Sequence, residues 1–177
     1  MNYQTKPHIL FRHEEITAAV QILAEEIRRD YQDKNPLLLG ILKGSFMFMA
    51  DLVRVLNVPV EIEFIRLSSY RNVGTAPGNL EMVQGLRTEI RGRNILIIED
   101  IIDSGKTIAY LQNYLKKKGA ASLKLCALMD KPARREAEIT IDYLGFTVPD
   151  KFLIGYGLDW DEKFRYLADI YTLEIED

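Results

Sequence analysis

The 177-residue sequence predicts an α/β fold: a mostly parallel twisted sheet flanked by helices. Three observations predict it. Leu37–Leu42 and residues 95–98 are apolar throughout, as strands covered on both faces of a parallel sheet are. Segments of helical periodicity alternate with such strands, the pattern of sheet and crossover helix. Polar turns at 42–45, 99–107 and 129–132 each follow an apolar run, the strand end at which open α/β sheets bind ligands.

The elements follow in order. Ile16, Val20, Leu23, Ile27 and Tyr31 recur at helical spacing, which predicts an amphipathic helix over 14–33. A short buried strand at 37–42 comes next, and Ser45 is placed to cap a helix running to about Leu56. Val60, Ile62 and Phe64 alternate with Glu61 and Glu63, a strand with one wet face. Residues 68–79, SSYRNVGTAPGN, are rich in turn formers and predict a long flexible loop, with 80–91 returning as an edge strand. The strand at 95 leads to a helix over 106–118, ended by Gly119, and then to a strand at 123–129. The C-terminal third is less regular and ends in a strand where Tyr171, Leu173 and Ile175 alternate.

Bulk properties narrow the function classes. The apolar content of 47% supports a full core, and the length suggests one domain over 1–177. A net charge of −3 gives no basic footprint for nucleic acid or for an anionic membrane. The N-terminal segment lacks an apolar core of signal-peptide length, and no run approaches a membrane span. Cys126 is the single cysteine, lies in an apolar run and has no internal disulfide partner. Together these features describe a cytoplasmic protein.

The most informative run is ILIIEDIIDSGKT, 95–107. Strand, tight turn and helix N-terminus form a phosphate cradle, because unpaired N–H groups and the positive end of the helix dipole face one point. Gly105 permits close backbone approach, and Ser104 and Thr107 add hydroxyl donors. The loop of nucleotide hydrolases requires a glycine five positions before Gly105, where this chain has Asp100. A carboxylate there would repel a triphosphate. The pair Glu99 and Asp100 instead suits a sugar phosphate that brings hydroxyls and a cation with it.

The run 99–107, EDIIDSGKT, resembles the phosphoribosyl-pyrophosphate signature of the type I phosphoribosyltransferases, and within them the hypoxanthine-guanine branch. Leu42-Lys43-Gly44-Ser45, Ser69-Tyr70, Leu128-Met129-Asp130-Lys131-Pro132 and the run 149–156, PDKFLIGY, fit in order, as do Asp159 and Arg165. The resemblance covers about residues 8 to 175 and implies the type I phosphoribosyltransferase fold. That fold carries a small hood from the N- and C-terminal segments and a flexible lid loop. It also implies a purine salvage activity, in which the phosphoribosyl group passes from phosphoribosyl pyrophosphate to N9 of hypoxanthine or guanine.

Roles follow residue by residue from the resemblance. Glu99 and Asp100 would hold the ribose hydroxyls, directly or through Mg²⁺, and Asp103 would be the general acid/base at purine N7. Residues Asp103, Ser104, Gly105, Lys106 and Thr107 would cradle the 5-phosphate. Lys131 would donate to O6 of a 6-oxopurine, Phe152 would stack on the base, and the Leu153 backbone would read its edge. Asp159 would border the base and take a second Mg²⁺. Lys43, Gly44 and Arg165 would bind pyrophosphate, with a cis Leu42–Lys43 bond. Ser69 and Tyr70 would begin the lid. The partners implied are phosphoribosyl pyrophosphate, 6-oxopurine bases and a second or further copies in a homo-dimer or homo-tetramer, with no nucleic acid or membrane. Trp160 departs from the tyrosine common in relatives. The loop sequence after Tyr70 is not distinctive either, and the two together leave the order among hypoxanthine, guanine and xanthine open.

Two rival readings stand beside this one, the first from another class of function. A regulatory nucleic-acid binder on this fold would carry a basic patch, which an acidic chain lacks. An adenine or pyrimidine transferase is disfavoured by Lys131 and the Phe152 segment.

Overall fold

A computed structural model describes residues 6–69 and 80–174. Its larger sheet has six strands in the order β4-β3-β2-β5-β6-β7. These are β2 (Leu37–Leu42), β3 (Glu61–Ser69), β4 (Leu80–Gln84), β5 (Asn94–Ile102), β6 (Ser122–Asp130) and β7 (Tyr143–Thr147). All neighbours are parallel except β4, which returns antiparallel on the edge beside β3. The order reverses between β2 and β5, so a crevice opens at their C-terminal ends, the usual ligand position in this architecture.

Both faces of this sheet are covered, which is why β2 and β5 read as unbroken apolar runs. Leu38, Leu96, Ile98, Cys126 and Leu128 point toward helices α1 (His13–Tyr31) and α2 (Phe46–Leu56). Their sequence neighbours Leu37, Leu39, Ile95, Ile97 and Leu125 point the other way, onto Ile108, Leu111 and Leu115 of helix α3 (Lys106–Lys117). Strand alternation thus builds two cores from one sheet. Truncating a fully buried residue of either, such as Leu111, costs about 2–5 kcal/mol. Helix α1 starts at a reciprocal cap in which the Arg12 N–H donates to Glu15 Oε2 at 2.8 Å. Helix α3 ends at Gly119, with φ of 84°.

A second sheet of three antiparallel strands, order β1-β9-β8, joins the two ends of the chain: β1 (Lys6–Phe11), β8 (Phe152–Ile154) and β9 (Ile170–Glu174). This is the expected hood. Strand β1 has no counterpart in the sequence-based expectations; KPHILF is short, contains a proline and gains its partner only from the far end of the chain.

Several expectations are corrected. Ser45 stands at the start of α2 but does not cap it; its hydroxyl turns back and donates to the Ile41 carbonyl at 2.6 Å. The β3 alternation does not give one dry and one wet face. Ile62 is 47% exposed, while Phe64 packs on the first core and Ile65 on the second. The edge strand stops at Gln84, and Glu63 accepts hydrogen bonds from the Arg87 and Thr88 amides beyond it. Tyr70, most of the predicted loop and Ile175 lie outside the described residues.

Candidate active site

The loops after β2, β5 and β6 meet at the crevice. After β5 the chain turns through Asp103 and Ser104 to Gly105, whose φ of 79° suits glycine, and α3 begins at Lys106. Glu99, Ile101, Ile102, Asp103, Ser104, Gly105, Thr107 and Ile108 line a cleft of about 110 Å³ there. Most of the predicted phosphate-loop residues are therefore brought together. Lys106 is the exception: it is not part of the cleft lining, and its ammonium pairs with Glu136. The Lys106 amide approaches Ser104 Oγ at 3.4 Å.

Glu99 and Asp100 are consecutive on β5, so alternation directs them to different sides of the strand end. Glu99 lines the cleft beside Gly105, whereas Asp100 is buried against Gly44 in the loop after β2. A Cβ at Gly44 would overlap the Asp100 carboxylate, and one at Gly157 would overlap the Gly44 carbonyl. These glycines are small because three chain segments touch at one place. Burial, and then the Asp100 carboxylate beside it, push the Glu99 carboxyl well above its usual range. Burial also raises Asp100, opposed by hydrogen bonds from Glu99 and from backbone amides and by the Arg165 charge. Glu99 Oε2 and Asp103 Oδ1 are buried oxygens with no protein partner. Buried acceptors of that kind are normally satisfied by an ordered water, an ion or a ligand.

The Leu42–Lys43 peptide is cis, as the resemblance implies. Lys43 extends its ammonium to Glu162 Oε2 at 2.8 Å. Arg165 donates from Nη1 to the Gly157 carbonyl at 2.7 Å, and its Nη2 lies 2.7 Å from Asp159 Oδ1. Its Nε is buried without a partner. Asp159 also accepts from the Glu162 amide at 2.8 Å.

At the other end, Lys131 is 5% exposed and donates from Nζ to the Lys151 carbonyl at 2.8 Å. A surface lysine before a proline would be exposed; this one is held inside. Phe152 is 39% exposed, so it is a platform rather than a core aromatic, and Leu153 beneath it is buried. The Trp160 ring meets Phe152 edge-on at 4.6 Å and 83°. Trp160, which the sequence marks only as a departure from the tyrosine of relatives, is thereby packed against Phe152. The Ser69 side chain and Tyr70, the expected lid, lie outside the described residues.

Sequence reasoning also missed Arg135 and Glu162. Arg135 reaches from behind β6 to the Asp103 carbonyl and the Asp130 carboxylate. The amides of Glu136 and Ala137 both donate to the Ser104 carbonyl, at 2.9 and 3.0 Å. The segment after Lys131 thus forms the floor of the phosphate loop. The paired arginines, Arg134-Arg135, were the available signal, but one arginine looks like another until the fold aims it.

The crevice at the C-terminal ends of β2 and β5 thus brings together a glycine turn at a helix start, the Glu99 and Asp100 carboxylates and the Arg165 guanidinium, the layout of an α/β ligand site. The phosphoribosyl transferase domain family matches residues 8–161, and the chain belongs to that family. It is 44% identical over 166 residues to the hypoxanthine-guanine phosphoribosyltransferase of Bacillus subtilis, covering 94% of this chain and 92% of that protein. It is 40% identical over 172 residues to the hypoxanthine phosphoribosyltransferase of Haemophilus influenzae, covering 96% of each. The crystal structure of a hypoxanthine-guanine phosphoribosyltransferase from Bacillus anthracis superposes with a TM-score of 0.89 at 36% identity, covering 97% of this chain and 99% of that one.

Proposed function

We propose that this chain is a purine salvage enzyme, transferring the 5-phosphoribosyl group from phosphoribosyl pyrophosphate to N9 of hypoxanthine or guanine. The products are IMP or GMP and pyrophosphate. The observation that carries the choice of base is the buried Lys131 ammonium, tethered to the Lys151 carbonyl beside the exposed face of Phe152. An ammonium offers only donors, so it donates to O6 of a 6-oxopurine and finds no acceptor in the amino group of adenine. A mismatch of this sort discriminates on the order of 10⁴-fold.

Each remaining group has a place in this reaction. Residues Asp103 to Thr107 hold the 5-phosphate through backbone amides at the N-terminus of α3. Asp103, with one buried free oxygen, shares a proton at N7 while N9 attacks, and so offsets charge building on the ring. Phe152 stacks on the base and the Leu153 backbone reads its edge. The Lys43 and Gly44 amides and the Arg165 guanidinium receive the leaving pyrophosphate, the planar fork of arginine suiting bidentate contacts. Ser69 and Tyr70 begin a lid that keeps water from the ribosyl cation.

The chain's oxygens fit a hard divalent cation. Glu99 offers a buried oxygen without a partner, and Asp100 lies beside it. Among the described residues no group of three or more carboxylate, histidine or cysteine side chains forms a cage. One or two carboxylates completed by substrate phosphates is the normal Mg²⁺ arrangement. Glu99, Asp100 and Asp159 are the residues that would hold it, and bound Mg²⁺ would neutralise the leaving pyrophosphate. Asp159 is paired with Arg165 and would have to share that partner.

Residues 1–177 form one phosphoribosyltransferase domain in this reading, acting in the cytoplasm as a homo-dimer or homo-tetramer. No helix among the described residues is long and apolar enough to cross a membrane. Phe46, 36% exposed at the start of α2, is a candidate interface residue. The test is a spectrophotometric assay that offers hypoxanthine, guanine, xanthine and adenine separately with Mg²⁺ and phosphoribosyl pyrophosphate. Turnover of the first two and none of adenine is expected. Adenine turnover equal to that of hypoxanthine would refute the role of Lys131.

A further inference from the structure

The two cationic side chains at the proposed pyrophosphate position share one anion from the protein itself. Glu162 Oε2 lies 2.8 Å from Lys43 Nζ and 3.4 Å from Arg165 Nη2. Both contacts are to cations, so Glu162 is the anion that Lys43 and Arg165 share. We infer that Glu162 is a built-in counter-anion of the pyrophosphate subsite: substrate pyrophosphate displaces it on binding, and its return favours product release. The inference rests on the functional reading above.

The local backbone supports a dedicated position. Glu162 sits on a two-residue turn closed by Trp160 and Lys163, whose amides and carbonyls pair at 3.2 and 3.0 Å. Both central residues have positive φ, 52° at Asp161 and 60° at Glu162. Aspartate tolerates that geometry, so Asp161 is at ease there, whereas glutamate at the second position is unusual. The Asp159 carboxylate accepts from the Glu162 amide at 2.8 Å and fixes the turn beside Arg165. Strained turns of this kind concentrate at functional sites.

The energetics suit displacement. The Lys43 and Glu162 side chains are 43% and 65% exposed, so their ion pair is weak and yields readily to a multiply charged phosphate. Arg165 is only 20% exposed and keeps its bonds to Asp159 and to the Gly157 carbonyl when Glu162 leaves. The subsite therefore stays assembled while its charge is exchanged. A single carboxylate also screens Lys43 and Arg165 from weakly charged anions that would otherwise occupy them.

The experiment compares the full-length parent with E162Q and D161N. Asp161 shares the turn, but its carboxylate faces Lys163 at 3.4 Å rather than Lys43 or Arg165. Magnesium pyrophosphate binding is measured by calorimetry, and KM is measured for phosphoribosyl pyrophosphate and for hypoxanthine. E162Q should tighten pyrophosphate binding and lower KM for phosphoribosyl pyrophosphate by about threefold, the scale of an exposed ion pair. The gain should shrink as salt rises. The hypoxanthine KM should hold, and D161N should match the parent. Unchanged or weaker pyrophosphate binding in E162Q, or an equal gain in D161N, overturns the inference while leaving the functional reading intact. A parent that neither binds magnesium pyrophosphate nor consumes phosphoribosyl pyrophosphate overturns the reading itself, and the inference with it.

Discussion

Arg135 donates from Nη1 to the backbone carbonyl of Asp103 at 3.1 Å, while its Nη2 is bonded to the Asp130 carboxylate. One guanidinium therefore ties the end of β6 to the turn after β5. It also packs beneath Gly105, where an added Cβ would come within 3.1 Å of Nη1. The phosphate loop is held from behind by a side chain that need not touch the substrate.

Replacing Arg135 by alanine should loosen this loop and leave Asp130, 14% exposed, without its partner. The expected cost is about 1.5–3 kcal/mol of stability, the scale of a lost charge-assisted hydrogen bond. KM for phosphoribosyl pyrophosphate should rise about tenfold with little change in KM for the base, because only the phosphate end loses its floor. Thermal melts and steady-state kinetics check both. Equal increases in the two KM values would mean that the arginine serves the whole fold instead.

How much of this was legible in the sequence depends on how far apart the partners lie. The run from β5 through Gly105 into α3 was readable because strand, turn and helix start are local and each leaves its own pattern. Lys131 and Phe152 were readable only through their motifs. Their burial states, inside for the lysine and outside for the aromatic, reverse what residue type suggests. The Lys43–Glu162 pair joins residues 119 apart, and β1 pairs with β9 across nearly the whole chain. No local periodicity encodes such contacts. The misplaced Ser45 cap shows the same limit at short range, because the Ile41 carbonyl competes for its hydroxyl.

Glu99 yields a prediction that couples pH to stability. Its carboxyl titrates well above the ordinary 4.5 of a glutamate, first from burial and then from the Asp100 carboxylate. Between the ordinary and the raised value the folded protein binds more protons than the unfolded chain. Ligand-free stability is therefore greatest at low pH in this window and falls as pH rises through the raised value. E99Q removes the penalty: the ligand-free variant should melt several degrees above the parent at about pH 8, with the gap closing toward the ordinary value. Its turnover should fall about tenfold or more, since an acceptor for the ribose hydroxyls or the cation is lost. Melts over this pH range decide the matter, and a gap that is constant with pH would show that ionisation of Glu99 is not the cause.

Trp160 is the only tryptophan in the chain, and its ring meets Phe152 edge-to-face. Its emission should therefore report purine binding directly. Titration of the parent with IMP should change the fluorescence saturably, and the change should vanish in Phe152→Ala. An edge-to-face pair contributes about 0.5–1.5 kcal/mol, so Trp160→Ala should raise KM for the base up to about tenfold. Trp160→Tyr, which keeps an aromatic edge, should restore most of it. Emission that ignores IMP would remove Trp160 from the base site.

Gly44 is the tightest point of the crevice, because the Asp100 carboxylate occupies the space of any Cβ there. The requirement is for room rather than for a left-handed backbone, since Gly44 has no positive φ. Alanine can therefore adopt the local conformation but must push Asp100 aside, and Asp100 is buried with few places to go. Gly44→Ala should fold, and it should lose about 100-fold in kcat/KM for phosphoribosyl pyrophosphate, the scale of a misplacement near one ångström. The proposed base position at Lys131 and Phe152, which shares no contact with Gly44, should bind IMP more nearly as the parent does. A Gly44→Ala enzyme with parental kcat/KM would show that the contact between the two loops has no part in catalysis, and that the crevice between β2 and β5 is wider in solution than the glycine implies.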